Sequence, residues 1–145
     1  QVVSGERYRY FVRVSLAAGP PHREGETSEV REVLARDVFP PAPPTGLVAV
    51  QEGTGIRLFW DPGPERDLDG YRVYRRRGDD GAWRRVGPDP VERPLYLDAE
   101  VVVGQRYRYR VTAIDRAEPP NESGPSPVAR LDVVEEPTVP RGSQP

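Results

Sequence analysis

The sequence contains no cysteine, no methionine and no lysine, and its one histidine is His22. Without cysteine the chain forms no disulfide and no thiolate metal site. No apolar run approaches the roughly 18 residues of a membrane-spanning helix. A single histidine in a loop, with no Gly-x-Ser-x-Gly or glycine-rich phosphate motif, leaves catalysis short of a general base and a nucleophile. These absences predict a protein with no catalytic site, no cofactor and no metal.

The charge is nearly balanced, since 21 basic residues stand against 23 acidic ones and the net charge is −2. This balance gives no overall attraction to nucleic acid or to an anionic membrane, so neither is expected as a partner. All the basic residues are arginine, which is typical of a GC-rich genome and fits a bacterial source. Because the chain begins with Gln1, we expect it to be an internal or processed piece of a longer protein.

The most informative feature is a repeat of about ten residues. The segment Val101-Val102-Val103-Gly104-Gln105-Arg106-Tyr107-Arg108-Tyr109-Arg110-Val111 restates residues 2–12 at an offset of 99 residues (107 − 8). A self-match at an offset near the length of a small domain predicts tandem copies of that domain, of which the first is cut short.

The first copy is predicted to contribute two strands. Residues 7–14 alternate in polarity and predict a strand, residues 17–26 read as a loop, and residues 28–36 predict a second strand. The apolar face of the first strand consists of Tyr8, Tyr10, Val12 and Val14. Such a hairpin cannot enclose a core alone, so it needs a partner surface.

The second copy is predicted to be complete. Residues 39–44 are rich in proline and predict a semi-rigid linker. Short alternating segments then follow at regular spacing, over 47–50, 55–60, 70–76, 83–86, 95–99, 106–115 and 127–133. Seven such strands predict an all-β, two-sheet sandwich over residues 45–136. Residues 137–145 are expected to form a tail.

A series of motifs in a fixed order makes the class of domain specific. They are Pro44 with Leu47, Trp60, Gly70-Tyr71-Arg72-Val73-Tyr74, Tyr96-Leu97-Asp98, Gly104-x-x-Tyr107-x-Tyr109-x-Val111-x-Ala113, and Asn121-Glu122-Ser123-Gly124-Pro125-Ser126. On these residues, 43–134 resemble a bacterial-type fibronectin type III domain. Residues 2–34 are similar to the last two strands of another copy, so residues 1–38 are interpreted as a partial repeat.

The resemblance implies an immunoglobulin-like sandwich and a role for several residues. The expected core consists of Trp60, Tyr71, Val73, Tyr107, Tyr109 and Val111. Tyr107 would be the tyrosine-corner residue, with its hydroxyl bonded to backbone near residues 101–104. The resemblance assigns these residues to folding and not to chemistry.

The outward side of two strands is the candidate binding face. In this family the third and sixth strands are neighbours, so their outward residues should merge into one basic surface, comprising Arg72, Tyr74, Arg76, Arg106, Arg108 and Arg110. Acidic residues are expected to lie apart, in turns. The face is either a docking surface for a polyanion, such as an acidic glycan or an acidic protein, or a solvated face that prevents aggregation between sheets.

Two short motifs are interpreted as turns. Asp67-x-Asp69-Gly70 resembles the start of a calcium loop but lacks the later ligands. Arg77-Gly78-Asp79 spells an adhesion tripeptide, yet it begins a glycine-rich turn.

The sequence therefore predicts a non-catalytic structural spacer, or a protein- or glycan-interaction module, in an extracytoplasmic multidomain protein. Its partners would be the other domains of the parent chain. Three alternatives stay open. They are a dedicated binding module for acidic glycans, an accessory domain of a carbohydrate-active enzyme, and self-association through residues 6–36.

Overall fold

The computed structural model describes residues 5–15 and 24–135. Every regular element in this part of the chain is a β-strand, as the sequence predicts. No helix capable of crossing a membrane occurs among the described residues. The chain divides into two compact units, Gln1–Val38 and Phe39–Pro145, here called unit 1 and unit 2.

Unit 1 contains four short strands, β1 (Arg7–Tyr10), β2 (Arg13–Ser15), β3 (Glu24–Thr27) and β4 (Arg31–Leu34). β1 pairs with β4, and β2 pairs with β3, both antiparallel. The single strand predicted over 7–14 is therefore wrong in one respect, because Phe11 and Val12 interrupt it. The loop predicted over 17–26 is also wrong at its end, where β3 begins. Among the described residues of unit 1, no single strand pairs with both β1 and β2 and so joins them into one continuous strand.

Unit 2 is a sandwich of two antiparallel sheets, in the orders β5-β6-β9 and β11-β10-β7-β8. All seven predicted strands are present. Their bounds are β5 Val48–Glu52, β6 Gly55–Phe59, β7 Leu68–Arg77, β8 Arg84–Val91, β9 Leu95–Asp98, β10 Arg106–Asp115 and β11 Ala129–Asp132. β8 runs five residues beyond its predicted end (91 against 86), through Pro88 and Pro90. Proline is tolerated there because β8 is an edge strand, on which unpaired backbone faces away from the sheet.

The core lies between the two sheets and follows the alternation of the strands. All six residues expected in it are at most 5% exposed, and Ile56 and Leu58 join them. Trp60 contacts Tyr71 edge to face, with ring centroids 5.3 Å apart. Burying each of these large side chains stabilises the fold by roughly 1.5–3 kcal/mol. This apolar layer fixes which sides of β7 and β10 face solvent.

Tyr107 occupies the corner that leads into β10. The Val102 N–H donates a hydrogen bond of 3.1 Å to the Tyr107 hydroxyl. Gly104 sits between them with φ of 79°, a left-handed conformation that favours glycine. The loop before β10 is thereby tied to the strand that follows it.

The proline-rich segment over 39–44 packs with unit 2. Pro41 and Pro44 are buried, and the Ala42 N–H donates to a Glu65 carboxylate oxygen at 2.9 Å. The structure therefore groups this segment, which the sequence predicted as a semi-rigid linker, with the sandwich.

Two serines complete the outer edge of β10. The N–H groups of Val111 and Ala113 donate to the hydroxyls of Ser126 and Ser123, at 3.0 and 2.8 Å. Proline at 125 and 127 prevents a continuous ladder here because proline has no N–H to donate. The Ser123 and Ser126 N–H groups donate in return to Ala113 O and Val111 O, so backbone and hydroxyls together hold this segment to β10 before β11 begins.

Candidate functional site

The structure brings the six predicted residues onto one surface, here called the arginine face. Arg76 lies opposite Arg108 across β7 and β10, and Tyr74 lies opposite Arg110. Because the residues that alternate with them fill the core, their side chains occupy the solvent side of the four-stranded sheet.

Arg72 and Tyr74 are not free on this face. Arg72 binds Asp89 at 2.8 Å and Glu122 at 2.6 Å, and the Tyr74 hydroxyl donates to Glu122 at 2.6 Å. The hydrogen bond to Asp89, followed by the one to Glu122, raises the pKa of Arg72 although partial burial opposes the shift. Burial alone would raise the pKa of Glu122, but hydrogen bonds from Thr112, Tyr74 and Arg72 hold it below its usual value.

Arg106 and Arg108 also have carboxylate partners. Arg108 binds Asp79, and Arg106 binds Asp132 at 2.6 Å. The expectation that the acidic residues lie apart in turns is therefore wrong. Asp79 reaches the face from a turn, whereas Asp89 and Asp132 lie within β8 and β11, and together they neutralise part of the face. The Asp79 pairing also occupies the carboxylate of the Arg77-Gly78-Asp79 tripeptide.

Trp83 belongs to this face, although the sequence did not place it there. The guanidinium carbons of Arg76 and Arg110 lie 4.9 and 4.5 Å from the centroid of the Trp83 ring. Arg110 also lies 5.4 Å from the Tyr74 ring centroid. Trp83 was predicted to begin the strand over 83–86, but β8 starts at Arg84 and Trp83 lies in the irregular segment before it. Its proximity to an arginine-rich strand was the one signal, since indole is the preferred partner of a guanidinium.

The face retains an excess of positive charge. Seven arginines meet four carboxylates there, which leaves three positive charges; they are Arg72, Arg76, Arg85, Arg106, Arg108, Arg110 and Arg130 against Asp79, Asp89, Glu122 and Asp132. In register, Arg130, Arg108 and Arg76 stand abreast on three adjacent strands. Like charges directly opposite each other are destabilising, so an anion on this row would be favourable. A groove of about 260 Å³ runs between Arg106, Arg108 and Arg130.

A second charged cluster lies inside the sandwich and holds it together. Asp98, 1% exposed, accepts hydrogen bonds from Arg75 Nη1 at 2.9 Å and from the Tyr109 hydroxyl at 2.8 Å. Burial and the neighbouring Asp98 carboxylate raise the pKa of Tyr109. Arg75 follows the inward alternation of Tyr71 and Val73, a signal that the sequence carried but that a charged residue made easy to overlook.

Two further acidic residues, Asp115 and Asp69, also contact neighbouring groups of the fold. Asp115 accepts from the Ala117 and Asn121 N–H groups at 3.1 and 2.7 Å, which shapes the loop after β10. Asp69, in the segment compared with a calcium loop, lies 3.9 Å from Arg116. His22 and the predicted tail, residues 137–145, lie outside the described residues.

Known proteins resemble this chain in sequence and in structure. No protein-family profile matches the chain. A fibronectin type III-like protein from Clostridium thermocellum has a solved structure with 29% identity and a TM-score of 0.55, covering 66% of this chain and 95% of that one. An amylopullulanase of Thermoanaerobacter thermohydrosulfuricus is 26% identical over 98 residues, 67% of this chain. Human myomesin-2 is 30% identical over 128 residues, 82% of this chain. The alignments span 7% and 9% of those two relatives.

These observations define the class first: unit 2 is an immunoglobulin-like β-sandwich with three strands in one sheet and four in the other. Its motifs, strand order and solved neighbours make it a fibronectin type III domain, as the sequence predicted.

Proposed function

We propose that this chain is a non-catalytic structural module that positions, and interacts with, other domains of an extracytoplasmic, bacterial multidomain protein. Residues 1–38 would be the last two strands of a preceding repeat, and unit 2 a complete repeat. Corresponding hydrogen bonds occur within each unit, from Gly5 N–H to Ala35 O and from Gly104 N–H to Val133 O, and these support the division.

The observation that carries the proposal is the use of buried polar groups. Within the described residues these are Asp98, Thr112, Asp115, Ser123 and Ser126. Each one bonds to backbone or to a neighbouring side chain that holds a strand or loop in place. Active sites usually keep a perturbed polar group aimed into a cleft. Here the buried polar groups serve the sandwich itself, which favours a scaffold.

The second candidate function is binding of a polyanion, such as an acidic glycan, on the arginine face. Its support is the uncompensated charge of Arg76, Arg110 and Arg130, together with the Trp83 and Tyr74 rings beside them. Guanidinium groups bind carboxylates and sulfates through paired N–H donors, so a linear acidic polymer could lie across the three strands.

Two other roles follow from separate observations. The amylopullulanase relative supports a place as an accessory domain of a carbohydrate-active enzyme. In unit 1, Tyr10, Val12 and Val14 are 49, 68 and 57% exposed, which supports self-association through residues 6–36.

Glycan binding by the full chain distinguishes these functions. A sulfated glycan, a polyuronide and a neutral α-glucan would be titrated at low and at physiological ionic strength. The arginine-face variant carries Arg76→Ser, Arg110→Ser and Arg130→Ser. A matched control carries Arg66→Ser, Arg93→Ser and Arg116→Ser, which remove the same charge from exposed positions elsewhere.

The spacer role predicts no saturable binding of any probe. Salt-sensitive binding of the acidic probes that is lost in the face variant and kept in the control would replace it with the polyanion role. Salt-insensitive binding of the neutral glucan would instead support the accessory-domain role and refute both others.

A further inference from the structure

The solvent side of the β5-β6-β9 sheet is apolar, although it faces away from the core. Five large side chains on it are between 37 and 52% exposed; they are Val48, Val50, Phe59, Leu95 and Leu97, here called the apolar face. Val48, Phe59 and Leu95 stand in one row across the three strands. Val50 and Leu97 flank Arg57 in the next row.

This pattern differs from that of an ordinary sandwich. Outward positions of an antiparallel sheet normally carry polar residues, because one face packs and the other is solvated. A contiguous exposed apolar surface on a soluble protein usually marks an interaction site. The arginine face, on the opposite sheet, shows the usual outward polarity, so the apolar character is specific to β5, β6 and β9.

The charges within the apolar face indicate what covers it. Among the outward side chains of β5, β6 and β9, the charged ones are Glu52 and Arg57, which bind each other. One acid and one base side by side form a self-complementary pattern. Because these two charges cancel, two copies of the face can stack in a two-fold arrangement without net charge repulsion, with residue i of one chain meeting j of the other and j meeting i.

We propose that two copies of the chain dimerise by stacking their β5-β6-β9 sheets face to face through the apolar face. Two packed sheets lie about 10 Å apart, and their side chains interdigitate. Five half-exposed side chains offer less area than the roughly 800 Å² per partner of a standard interface, so the dimer dissociates on dilution. The inference goes beyond the proposed function, because it involves neither the arginine face nor residues 6–36.

Sedimentation velocity of the full chain over a range of concentrations tests the interface. Val50→Lys places a charge in the middle of the apolar face and should raise the dimer dissociation constant at least about tenfold. Val102→Lys is the matched control, because Val102 is 55% exposed in the loop before β10 and should leave the constant unchanged. Unaltered far-ultraviolet circular dichroism would establish that both variants fold.

Charge reversal separates an intermolecular pair from the intramolecular one. Glu52→Arg alone and Arg57→Glu alone would each weaken association, because each brings like charges together across the two-fold axis. An equimolar mixture of the two variants would restore a dimer, since every contact between the chains is then between opposite charges. The pair within each chain stays repulsive in the mixture, so a purely intramolecular role predicts no rescue.

A wild-type chain that stays monomeric at the highest attainable concentration overturns the inference. So does association that Val50→Lys leaves unchanged. If Tyr10→Ser abolished that residual association, the contact would lie in residues 6–36 instead.

Discussion

The chain contains the same hairpin twice, once in each unit, and the two copies can be compared bond by bond. Gly5 N–H donates to Ala35 O at 2.8 Å, as Gly104 N–H does to Val133 O. Val12 N–H donates to the Ser28 hydroxyl at 2.8 Å, as Val111 N–H does to that of Ser126 at 3.0 Å. The paired tyrosine rings are also alike, with centroids 6.3 Å apart in unit 1 and 6.5 Å in unit 2.

The burial of the two hairpins is entirely different. Tyr109 and Val111 are fully buried in unit 2, whereas their counterparts Tyr10 and Val12 are 49 and 68% exposed. β10 pairs with β7 over almost its whole length, and the β5-β6-β9 sheet covers its apolar side. The described residues of unit 1 offer no equivalent of those strands.

The comparison separates what a hairpin sequence specifies from what its surroundings add. Turn glycines, capping hydroxyls and strand pairing are set locally, because they recur in unit 1, whose described residues include no equivalent of the other strands of the sandwich. Burial, and with it most of the stabilisation, comes from strands distant in sequence. Equivalent substitutions in the two hairpins should therefore have unequal effects.

The largest inequality is expected for the second tyrosine of each hairpin. Tyr109→Ala should reduce the free energy of unfolding of unit 2 by about 3–5 kcal/mol, because it leaves a cavity and removes a hydrogen bond to Asp98. Tyr10→Ala should change the free energy of unfolding of unit 1 by no more than about 0.5 kcal/mol, the usual range for an exposed site. Native-state hydrogen exchange followed by NMR measures each unit separately, from the amides of β10 and of β1.

Equal losses in the two variants would contradict the comparison and would mean that unit 1 is covered as fully as unit 2. Tyr109→Phe serves as a control for the cavity, because it keeps the ring and removes the hydroxyl. Its loss should fall between those of the two alanine variants.

Alternation along the strands predicted most of the fold. Alternation predicted the strands, whereas residues 60, 71, 73, 107, 109 and 111 were assigned to the core from the resemblance to the fibronectin type III family, and the structure buries all of them. The break at Phe11 was not predicted, although Phe11 interrupts the alternation where the second run has Arg110. Among the described residues, the second run pairs with the long strand β7, and the first has no equivalent neighbour.

The candidate site was less accessible to prediction than the fold. Alternation along β7 and β10 was enough to indicate that the arginines lie on one side of the sheet. Their partners come from separate parts of the chain, because Asp79 lies in a turn, Glu122 in the connection after β10, and Asp89 in the edge strand β8. Such pairings depend on loop paths in three dimensions, on which a sequence of turn residues carries little information.

A smaller inequality is expected for the serines that cap the strand edge. Ser126→Ala would leave the Val111 N–H without an acceptor in the buried interior of unit 2, costing about 1–3 kcal/mol in the free energy of unfolding. Ser28→Ala removes the same bond at an exposed site, where water can replace the hydroxyl. Its cost should be about 0.5 kcal/mol or less. Hydrogen exchange at the Val111 and Val12 amides gives a direct readout, with faster exchange expected mainly at Val111.

If the Val111 amide of Ser126→Ala and the Val12 amide of Ser28→Ala exchanged at the same rate, the hydroxyls would not account for a difference in stability between the two strand edges. Ser→Thr at either position keeps the acceptor and should preserve protection.

The smallest effect is expected in the pH dependence of the free energy of unfolding of unit 2. Glu122 accepts hydrogen bonds from Arg72, Tyr74 and Thr112 at 2.6, 2.6 and 2.7 Å, and these lower its pKa against the opposing effect of burial. A carboxyl whose pKa is lower in the folded than in the unfolded state stabilises the fold above its unfolded pKa of about 4.3. That contribution is lost as the pH falls through the folded pKa.

Glu122→Gln should therefore cost about 1 kcal/mol at pH 7 and flatten the loss of stability on acidification. Urea unfolding at neutral and at acidic pH measures the difference, with Glu118→Gln as the control, because Glu118 is exposed in the same loop. The Glu122 carboxylate joins the connection between β10 and β11 to β7. A flatter pH profile would therefore show that this contact contributes part of the greater stability expected of unit 2. If the pH profile were as steep as that of the wild type, the serine hydroxyls alone would hold the connection between β10 and β11.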